Sequence, residues 1–238
     1  ADMGAEVIKV ENAEGDMMRT RPPLREGASA SFGQLNAGKK SVVLDLKSEA
    51  GQAAATRLIE TADVLVENFR PGVMSRFGLD FATLSKQFPK LVYCSISGYG
   101  QTGPSAKVPA YAPVVHAAAG FDLAHLSYQS GRDRPDYCGV FIADVLAGTY
   151  AFGAVMSAIN YQQRTGEGQH VDVSMMESML SLTLTELQGS QFEMAPPGKP
   201  MFGPVETSDG YIMLAIASER TFRAAAVAAS RLDWLEDP

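Results

Sequence analysis

Asp144 is the residue of this sequence whose carboxylate is best placed to act as a nucleophile. It follows the apolar pair Ile142 and Ala143 and precedes Val-Leu-Ala-Gly, so it lies at or near the N-terminus of a long apolar helix. Aspartate at such a position is often a structural helix N-cap. The same position also gives a carboxylate that is held by the positive helix end and made more nucleophilic by partial desolvation. The spacing alone leaves both roles open.

Basic residues cluster where predicted strands end, and this is where ligands bind in open α/β sheets. Arg70 and Arg76 could pair with phosphates, and Phe69 could lie against an adenine ring. Each of these residues could instead be a solvated surface group, but together they indicate a phosphate-bearing ligand. The basic cluster consists of Lys39, Lys40, Lys47, Arg70 and Arg76.

Residues 98–103 (GYGQTG) match the glycine pattern of dinucleotide-binding loops and follow a predicted strand. That function requires a helix to begin there, so that its first amides face the pyrophosphate. Pro104 and Pro109 exclude a helix interior at this place. We therefore interpret the segment as a glycine turn that could close over a different ligand.

The remaining reactive residue types indicate neither a metal site nor a nucleic-acid surface. His116, His125 and His170 lack metal-ligand spacing, and Cys94 and Cys138 lack CxxC spacing. His116 is predicted to be a packed residue, and His170, which enters the strand 171–173, a structural one. The formal net charge of -7 over 238 residues lacks the basic surplus of nucleic-acid binders. Two isolated cysteines fit a reducing, cytoplasmic location.

Strands alternate with helices along the chain, which predicts a mostly parallel sheet covered on both faces. The strands are nearly continuous apolar runs, as expected where both faces are buried. The predicted strands are 7–11, 41–46, 62–66, 91–97, 171–173 and 211–217. The predicted helices are 49–61, 73–77, 81–87, 113–120, 143–163, 175–193 and 220–235.

The apolar stretch 142–159 approaches the length of a membrane span. Asp144 near its start and the polar residues 160–164 (NYQQR) that follow it favour a buried helix without a membrane.

The Pro- and Gly-rich segment 195–204 is the candidate domain boundary. Both chain ends resemble cut points, since a strand begins by Val7 and a helix stops at the last residues.

A set of short motifs, in order along nearly the whole chain, resembles class III coenzyme A transferases of the CaiB/BaiF type. This family includes formyl-CoA transferase, the carnitine CoA transferase and α-methylacyl-CoA racemase. The order and spacing carry the resemblance more than any one motif. The matching residues are 4–11 (GAEVIKVE), 15–16, 19, 35–36, 39–41, 44–47, 62–72 (ADVLVENFRPG), 76–79, 95–100, 109–111, 143–144, 165–169 and 171–175.

The resemblance implies a fold and an assembly. It implies a Rossmann-like large domain that binds CoA, in a ring-shaped subunit that interlocks with a second copy as a homodimer. Residues 1–195 would be the large domain, without the first strand and helix of the family. Residues 196–238 would be the linker and the start of a small domain that is mostly missing.

The resemblance also assigns roles to individual residues. Asp144 stands at the position of the catalytic aspartate. The positions that match CoA-contacting segments are Leu44, Asp45, Leu46, Lys47, Asn68, Phe69, Arg70, Arg76, Ala110 and Tyr111. Asn12 and Pro109 depart from the family, since transferases often have Arg at the first position and some have Lys at the second.

The resemblance implies transfer of CoA from an acyl-CoA to a carboxylic acid through an aspartyl anhydride and an aspartyl-CoA thioester, with no metal. Two alternatives stay open. A racemase of the same family needs a histidine opposite the aspartate; that position falls at Tyr111, and His116 is out of register. A non-catalytic CoA-binding protein would keep the basic residues without needing Asp144.

An arginine at 132 or 134 could bind the second carboxylate of a dicarboxylic acid, or lie in a surface loop.

Overall fold

A computed structural model of the protein describes residues 1–129, 131–192 and 201–235, with Met201 described by its backbone alone. The chain divides into two compact units, Ala1–Leu184 and Thr185–Pro238. The boundary expected between 195 and 196 falls in residues 193–200, which lie outside the described residues, so it stays a prediction.

The first unit alternates strands and helices as the apolar runs predict. Its strands are β1 (Ile8–Glu11), β2 (Leu24–Arg25), β3 (Ala28–Ser29), β4 (Lys40–Val43), β5 (Val64–Glu67), β6 (Val92–Ser97) and β7 (His170–Ser174). Its helices are α1 (Ala30–Leu35), α2 (Glu49–Glu60), α3 (Val73–Arg76), α4 (Phe81–Gln87), α5 (Ala112–Ala118), α6 (Phe121–Ser127), α7 (Ile142–Thr165) and α8 (Met175–Leu182), followed by α9 (Leu184–Gly189).

The long strands pair in parallel, which confirms the α/β class. Strand β1 pairs with β4, and β5, β6 and β7 form a second parallel sheet with β6 in the middle. In the described residues the predicted sheet is therefore divided in two. Strands β2 and β3 form a small antiparallel pair.

Helices cover both faces of the β5–β6–β7 sheet because its central strand is apolar on both sides. Tyr93 packs against Ala55 and Ile59 of α2 and Leu84 of α4. Cys94, the next residue of β6, points to the other face and packs near Ala147 and Ala151 of α7. This alternation is the period of two that a strand imposes.

Helix α7 can lie close to the sheet because the residues on its buried side are small: Ala143, Ala147, Ala151 and Ala158. Gly166, in the left-handed conformation with φ of 78°, ends the helix. By length and apolar composition alone, α7 could also cross a membrane. One side of α7 packs on β6 and β7, whereas the other side carries large exposed apolar side chains, so the helix predicted to be buried is only partly buried within this chain.

The single helix predicted over 175–193 is wrong, because α8 ends at Leu182 and α9 begins at Leu184. The break lies at Thr183, which is buried. Its hydroxyl contacts the carbonyls of Met179 and Ala119, both at 3.4 Å. A side chain that bonds outside its own helix competes with the continuation of that helix.

Besides most of α9, the second unit contains an antiparallel hairpin and a further helix: β8 (Met201–Glu206), β9 (Tyr211–Ile216) and α10 (Glu219–Ala228). The predicted helix over 220–235 is too long. Ser230 adopts a left-handed φ of 56°, and a separate 3₁₀ turn follows at Leu232–Leu235. Residues 201–204, which end the Pro- and Gly-rich segment predicted as a domain boundary, belong to β8.

Candidate active site

Asp144 is the third residue of α7, in the first turn. The N-cap of this helix is Phe141, whose side chain makes no capping hydrogen bond. Asp144 is therefore not the N-cap that one sequence interpretation allowed. Its side chain is exposed, yet burial by the surrounding chain raises the pKa of the carboxyl. Its own backbone amide, His116 and Arg21 act in the opposite direction.

His116 lies directly behind this helix start, on α5. It is 2% exposed, as expected for a packed helix histidine. Its Nε2 accepts a hydrogen bond from the backbone amide of Ala143 at 3.1 Å. Since Nε2 accepts this bond, that nitrogen carries no proton in this arrangement.

Arg21 is a site residue that sequence reasoning missed. Its guanidinium lies over the ring of Phe141, 4.7 Å from the centroid, and its charge lowers the pKa of Asp144. No local pattern singles it out, because it follows a short 3₁₀ turn (Met17–Thr20) far from Asp144 in sequence. Only the tertiary fold brings it to the start of α7.

The predicted CoA segment 44–47 forms the connection from β4 to α2. Leu44 and Leu46 point inward and pack against the core around Tyr93, whereas Asp45 and Lys47 are exposed. The helix then begins close to this connection. A Cβ on Gly51 would lie 1.9 Å from the carbonyl oxygen of Asp45, so the close approach requires glycine.

The second predicted CoA segment, residues 68–70, follows β5. The Phe69 amide donates to a carboxylate oxygen of Glu67 at 2.8 Å. The Phe69 ring is 43% exposed and meets Phe77 edge-on at 6.3 Å, so one of its faces can accept a flat ligand group. Arg70 borders a cleft of about 230 Å³ that opens at the ends of β5 and β6.

The basic residues fall into two groups. Lys47, Arg70 and Arg76 are exposed and form no ion pair with any carboxylate of the described residues. Lys40 instead pairs with Glu6 at 2.6 Å, and the ammonium of Lys39 donates to Asn36. The cationic site predicted from the sequence therefore reduces to the first three residues.

Ala110 lies against both the glycine loop and the apolar cluster at the start of α7. Ala110 packs on the apolar cluster that contains Ala143, and Tyr111 is 69% exposed at the N-cap of α5. A Cβ on Gly98 would lie 2.2 Å from the Cβ of Ala110. No helix follows the glycine loop before α5, as the prolines predicted.

The glycine loop is tied to β7. The amide of Gln101 donates to the carboxylate of Asp172 at 2.9 Å, and the Met176 amide donates to the Gly98 carbonyl at 3.0 Å. The Gln101 side-chain nitrogen and the Ser97 hydroxyl are buried without a protein partner among the described residues. Such groups require water or a ligand.

A polar layer beneath the cleft was also missed by the sequence analysis. Register places Glu67 and Asp172 on either side of Ser95. The Ser95 hydroxyl lies 3.0 Å from Nε2 of His170. Burial raises the pKa of Glu67 and lowers the pKa of His170. His170 also stacks on Phe81 at 4.9 Å, which agrees with its predicted structural role.

Lys47 follows β4, Asn68–Arg70 follow β5 and Arg76 ends α3, all on segments that pack on the apolar cluster around Tyr93. Asp144 lies in the first turn of α7, and Tyr111 is the N-cap of α5. Arg132 is exposed and pairs with Asp136 in a surface loop. Within the described residues, no group of three or more His, Cys, Asp or Glu side chains is placed to hold a metal ion.

The chain belongs to CoA-transferase family III, whose family model matches residues 1–238. This confirms the resemblance that the sequence motifs indicated. It is 38% identical to a succinate–glutarate CoA-transferase of Agrobacterium fabrum, over 94% of this chain and 59% of the relative. It is 41% identical to an acetyl-CoA:oxalate CoA-transferase of Acetobacter aceti, over 76% of this chain and 46% of the relative.

Solved structures agree with this assignment. A CaiB/BaiF family protein from Brucella suis superimposes with a TM-score of 0.84 at 32% identity, over 99% of this chain and 65% of that chain. The protein Rv3272 from Mycobacterium tuberculosis gives a TM-score of 0.86 at 31% identity, over 99% and 64%. The chain therefore spans about half to two thirds of the length of these relatives.

Proposed function

We propose that the protein transfers CoA from an acyl-CoA donor to a carboxylic acid acceptor, with Asp144 as the nucleophile. One observation carries the proposal. Asp144 offers a solvent-accessible carboxylate in the first turn of α7, where burial raises its pKa, in a chain of CoA-transferase family III. Partial desolvation makes a carboxylate more reactive, while the helix end and Arg21 favour its ionised form.

In the first half of the proposed reaction, an oxygen of Asp144 attacks the thioester carbon of the donor. The carbon–sulfur bond breaks, which gives a mixed anhydride and CoA thiolate. The thiolate then attacks the aspartyl carbonyl and releases the donor acid, which carries away the bridging oxygen. The product is an aspartyl-CoA thioester.

In the second half, the acceptor carboxylate attacks this thioester and displaces CoA thiolate, which forms a second anhydride. The thiolate attacks the acceptor's acyl carbon, and the Asp144 carboxylate leaves with the bridging oxygen that the acceptor supplied. The backbone amides of the glycine loop 98–103 are suitable donors for the tetrahedral oxyanions.

Lys47, Arg70 and Arg76 are the proposed partners of the CoA phosphates, and the open face of Phe69 is the proposed partner of the adenine. The absence of competing carboxylates among the described residues supports this assignment. For segment 44–47, Leu44 and Leu46 pack inward, so we assign their contact with CoA to the backbone. Asp45, Asn68, Ala110 and Tyr111 complete the proposed CoA surface.

We propose a dicarboxylic acid as substrate. The names of similar proteins include succinate–glutarate, oxalate and mesaconate CoA-transferases, and all four of these acids carry two carboxylates. Arg21, beside Asp144, is the cation best placed to bind the carboxylate that does not react. Arg132 is a weaker candidate because Asp136 already neutralises it.

The racemase alternative is less well supported. It needs a second acid–base group near Asp144, and Nε2 of His116 is already occupied by the Ala143 amide.

We also propose a homodimer of interlocked rings in the cytoplasm. Large exposed apolar side chains on α7, including Val145, Phe152 and Met156, support a covering partner.

Chemical trapping tests the proposed function. The full-length protein is incubated with a panel of acyl-CoAs and hydroxylamine, and peptide mass spectrometry locates any hydroxamate. We expect modification at Asp144 with a dicarboxylyl-CoA and none in Asp144→Asn. An unmodified Asp144 together with deuterium uptake at the acyl α-carbon would instead identify a racemase. CoA binding with neither signal for any panel member would favour a binding protein.

A further inference from the structure

The first turn of α7 has an unusual means of satisfying its backbone amides. The opening amides of a helix have no partner within the helix, and a side chain at the N-cap commonly provides one. Phe141 cannot do so. The amide of Ile142 bonds instead to the Val140 carbonyl at 3.0 Å, and the amide of Ala143 bonds to His116.

The His116 ring is rigidly held at this position. It is 2% exposed, on the helix α5 whose Val115 and Ala119 pack in one cluster with Ala143 of α7 and Met179 of α8. The ring of Phe121 covers it at a centroid distance of 5.5 Å. The acceptor nitrogen is therefore fixed relative to the helix that carries Asp144, the residue next to Ala143.

We infer that His116 is a positioning residue for Asp144. Its Nε2 holds the Ala143 amide, and so fixes the backbone of the turn that aims the Asp144 carboxylate. This inference rests on the proposed function, because it supposes that Asp144 reacts. It gives His116 no contact with the reacting atoms and no part in proton transfer.

The inference predicts which step depends on His116. The imidazole lies near Asp144, while the proposed CoA cations Lys47, Arg70 and Arg76 lie around other elements. Loss of the acceptor should therefore slow attack by Asp144 and leave the affinity for CoA unchanged. A small displacement of a reacting group can cost up to about a hundredfold in rate.

Three variants separate positioning from packing. His116→Gln keeps an acceptor, its side-chain carbonyl oxygen, whereas His116→Leu fills the space without one. His125→Leu is the control for loss of a histidine on α6: His125 is exposed, its ring nitrogens lie within hydrogen-bond distance of Gln129, and an apolar leucine can keep the contact that its ring makes with Phe121 at 5.9 Å. Each is made in the full-length protein and studied well below its unfolding temperature.

The readouts are the rate of hydroxamate formation at Asp144, kcat, and the Kd for CoA. We expect His116→Leu to lower the first two by roughly tenfold to a hundredfold with Kd unchanged, His116→Gln to recover most of the loss, and His125→Leu to match the wild type. Wild-type rates in folded His116→Leu, or equal losses in the Gln and Leu variants, would overturn the inference. An unlabelled Asp144 in the wild type would instead reject the proposed function.

Discussion

The carboxyl group of Asp144 is subject to opposing influences. Burial favours its neutral form, whereas its own amide and the charge of Arg21 favour the carboxylate. The net result is a pKa above the ordinary value, which is about 3.9 for aspartate. A nucleophile must be ionised, so the reaction should fail as the pH falls through this raised pKa.

Arg21→Met provides the corresponding prediction. Removal of the positive neighbour should raise the pKa of Asp144 further, so the acidic limb of the hydroxamate-trapping rate should move to higher pH. Arg132→Met is the matched control, because Arg132 is paired with Asp136. The profile is measured with saturating acyl-CoA donor and no acceptor acid. If the acidic limb of the pH profile lies at the same pH in the wild type and in Arg21→Met, the electrostatic role of Arg21 is contradicted.

At the scale of elements, two connections place the site, and each depends on a close backbone approach. Gly98 lets Ala110 lie against the glycine loop, and Gly51 lets α2 begin against residue 45. By contrast, a Cβ on Gly153, within α7, would meet nothing within 4 Å. Glycine is structurally required in the first two positions and costs stability in the third.

Alanine substitutions at these glycines should therefore have opposite effects. Gly98→Ala should lower the free energy of unfolding by about 1–3 kcal/mol, the range for overpacking a fitted contact. Gly153→Ala should raise it by about 0.5–1 kcal/mol, since glycine is disfavoured within a helix. Denaturant unfolding of the full-length protein checks both. Equal effects of the two substitutions would show that the contact between Gly98 and Ala110 is not tight.

The sequence predicted those elements whose signal is local. Helix α4 occupies 81–87 as its apolar spacing indicated, and β6 lies within its predicted apolar run. The helix over 175–193 failed because Thr183 bonds to the carbonyl of Ala119, in a distant helix. Contacts of this kind leave no periodic pattern in the chain.

The same distinction applies to the site. Asp144, Arg70 and Arg76 could be singled out because they accompany recognisable strand ends, helix starts and family motifs. Arg21 and the role of His116 could not, because each depends on a partner supplied by another element. The polar layer of Glu67, Ser95 and His170 likewise depends on the register between strands.

At the scale of the whole molecule, a chain of net charge -7 presents Lys47 after β4, Arg70 after β5 and Arg76 at the end of α3 without an ion pair among the described residues. Local charge of this kind can attract a polyanion in spite of the total. Arg70→Met and Arg76→Met should each raise the Kd for CoA by roughly tenfold or more, since a bond to a charged group contributes about 1.5–3 kcal/mol.

The control for this prediction is Lys40→Met, because Lys40 is paired with Glu6 outside the proposed site. Isothermal titration of the full-length protein with CoA and with dephospho-CoA would also show which arginine contacts the 3′-phosphate. An unchanged Kd in both arginine variants would mean that CoA binds elsewhere.

The central claim is that Asp144 exchanges an oxygen with the substrates during each turnover. The most direct measurement supplies the acceptor acid with heavy-oxygen-labelled carboxylates, allows turnover with an acyl-CoA, and weighs the peptide that contains Asp144. The proposed course predicts that one heavy oxygen enters the Asp144 carboxylate, only when donor and acceptor are both present. Turnover that leaves this peptide unlabelled would mean that the acceptor attacks the acyl-CoA directly, and the covalent role of Asp144 would be wrong.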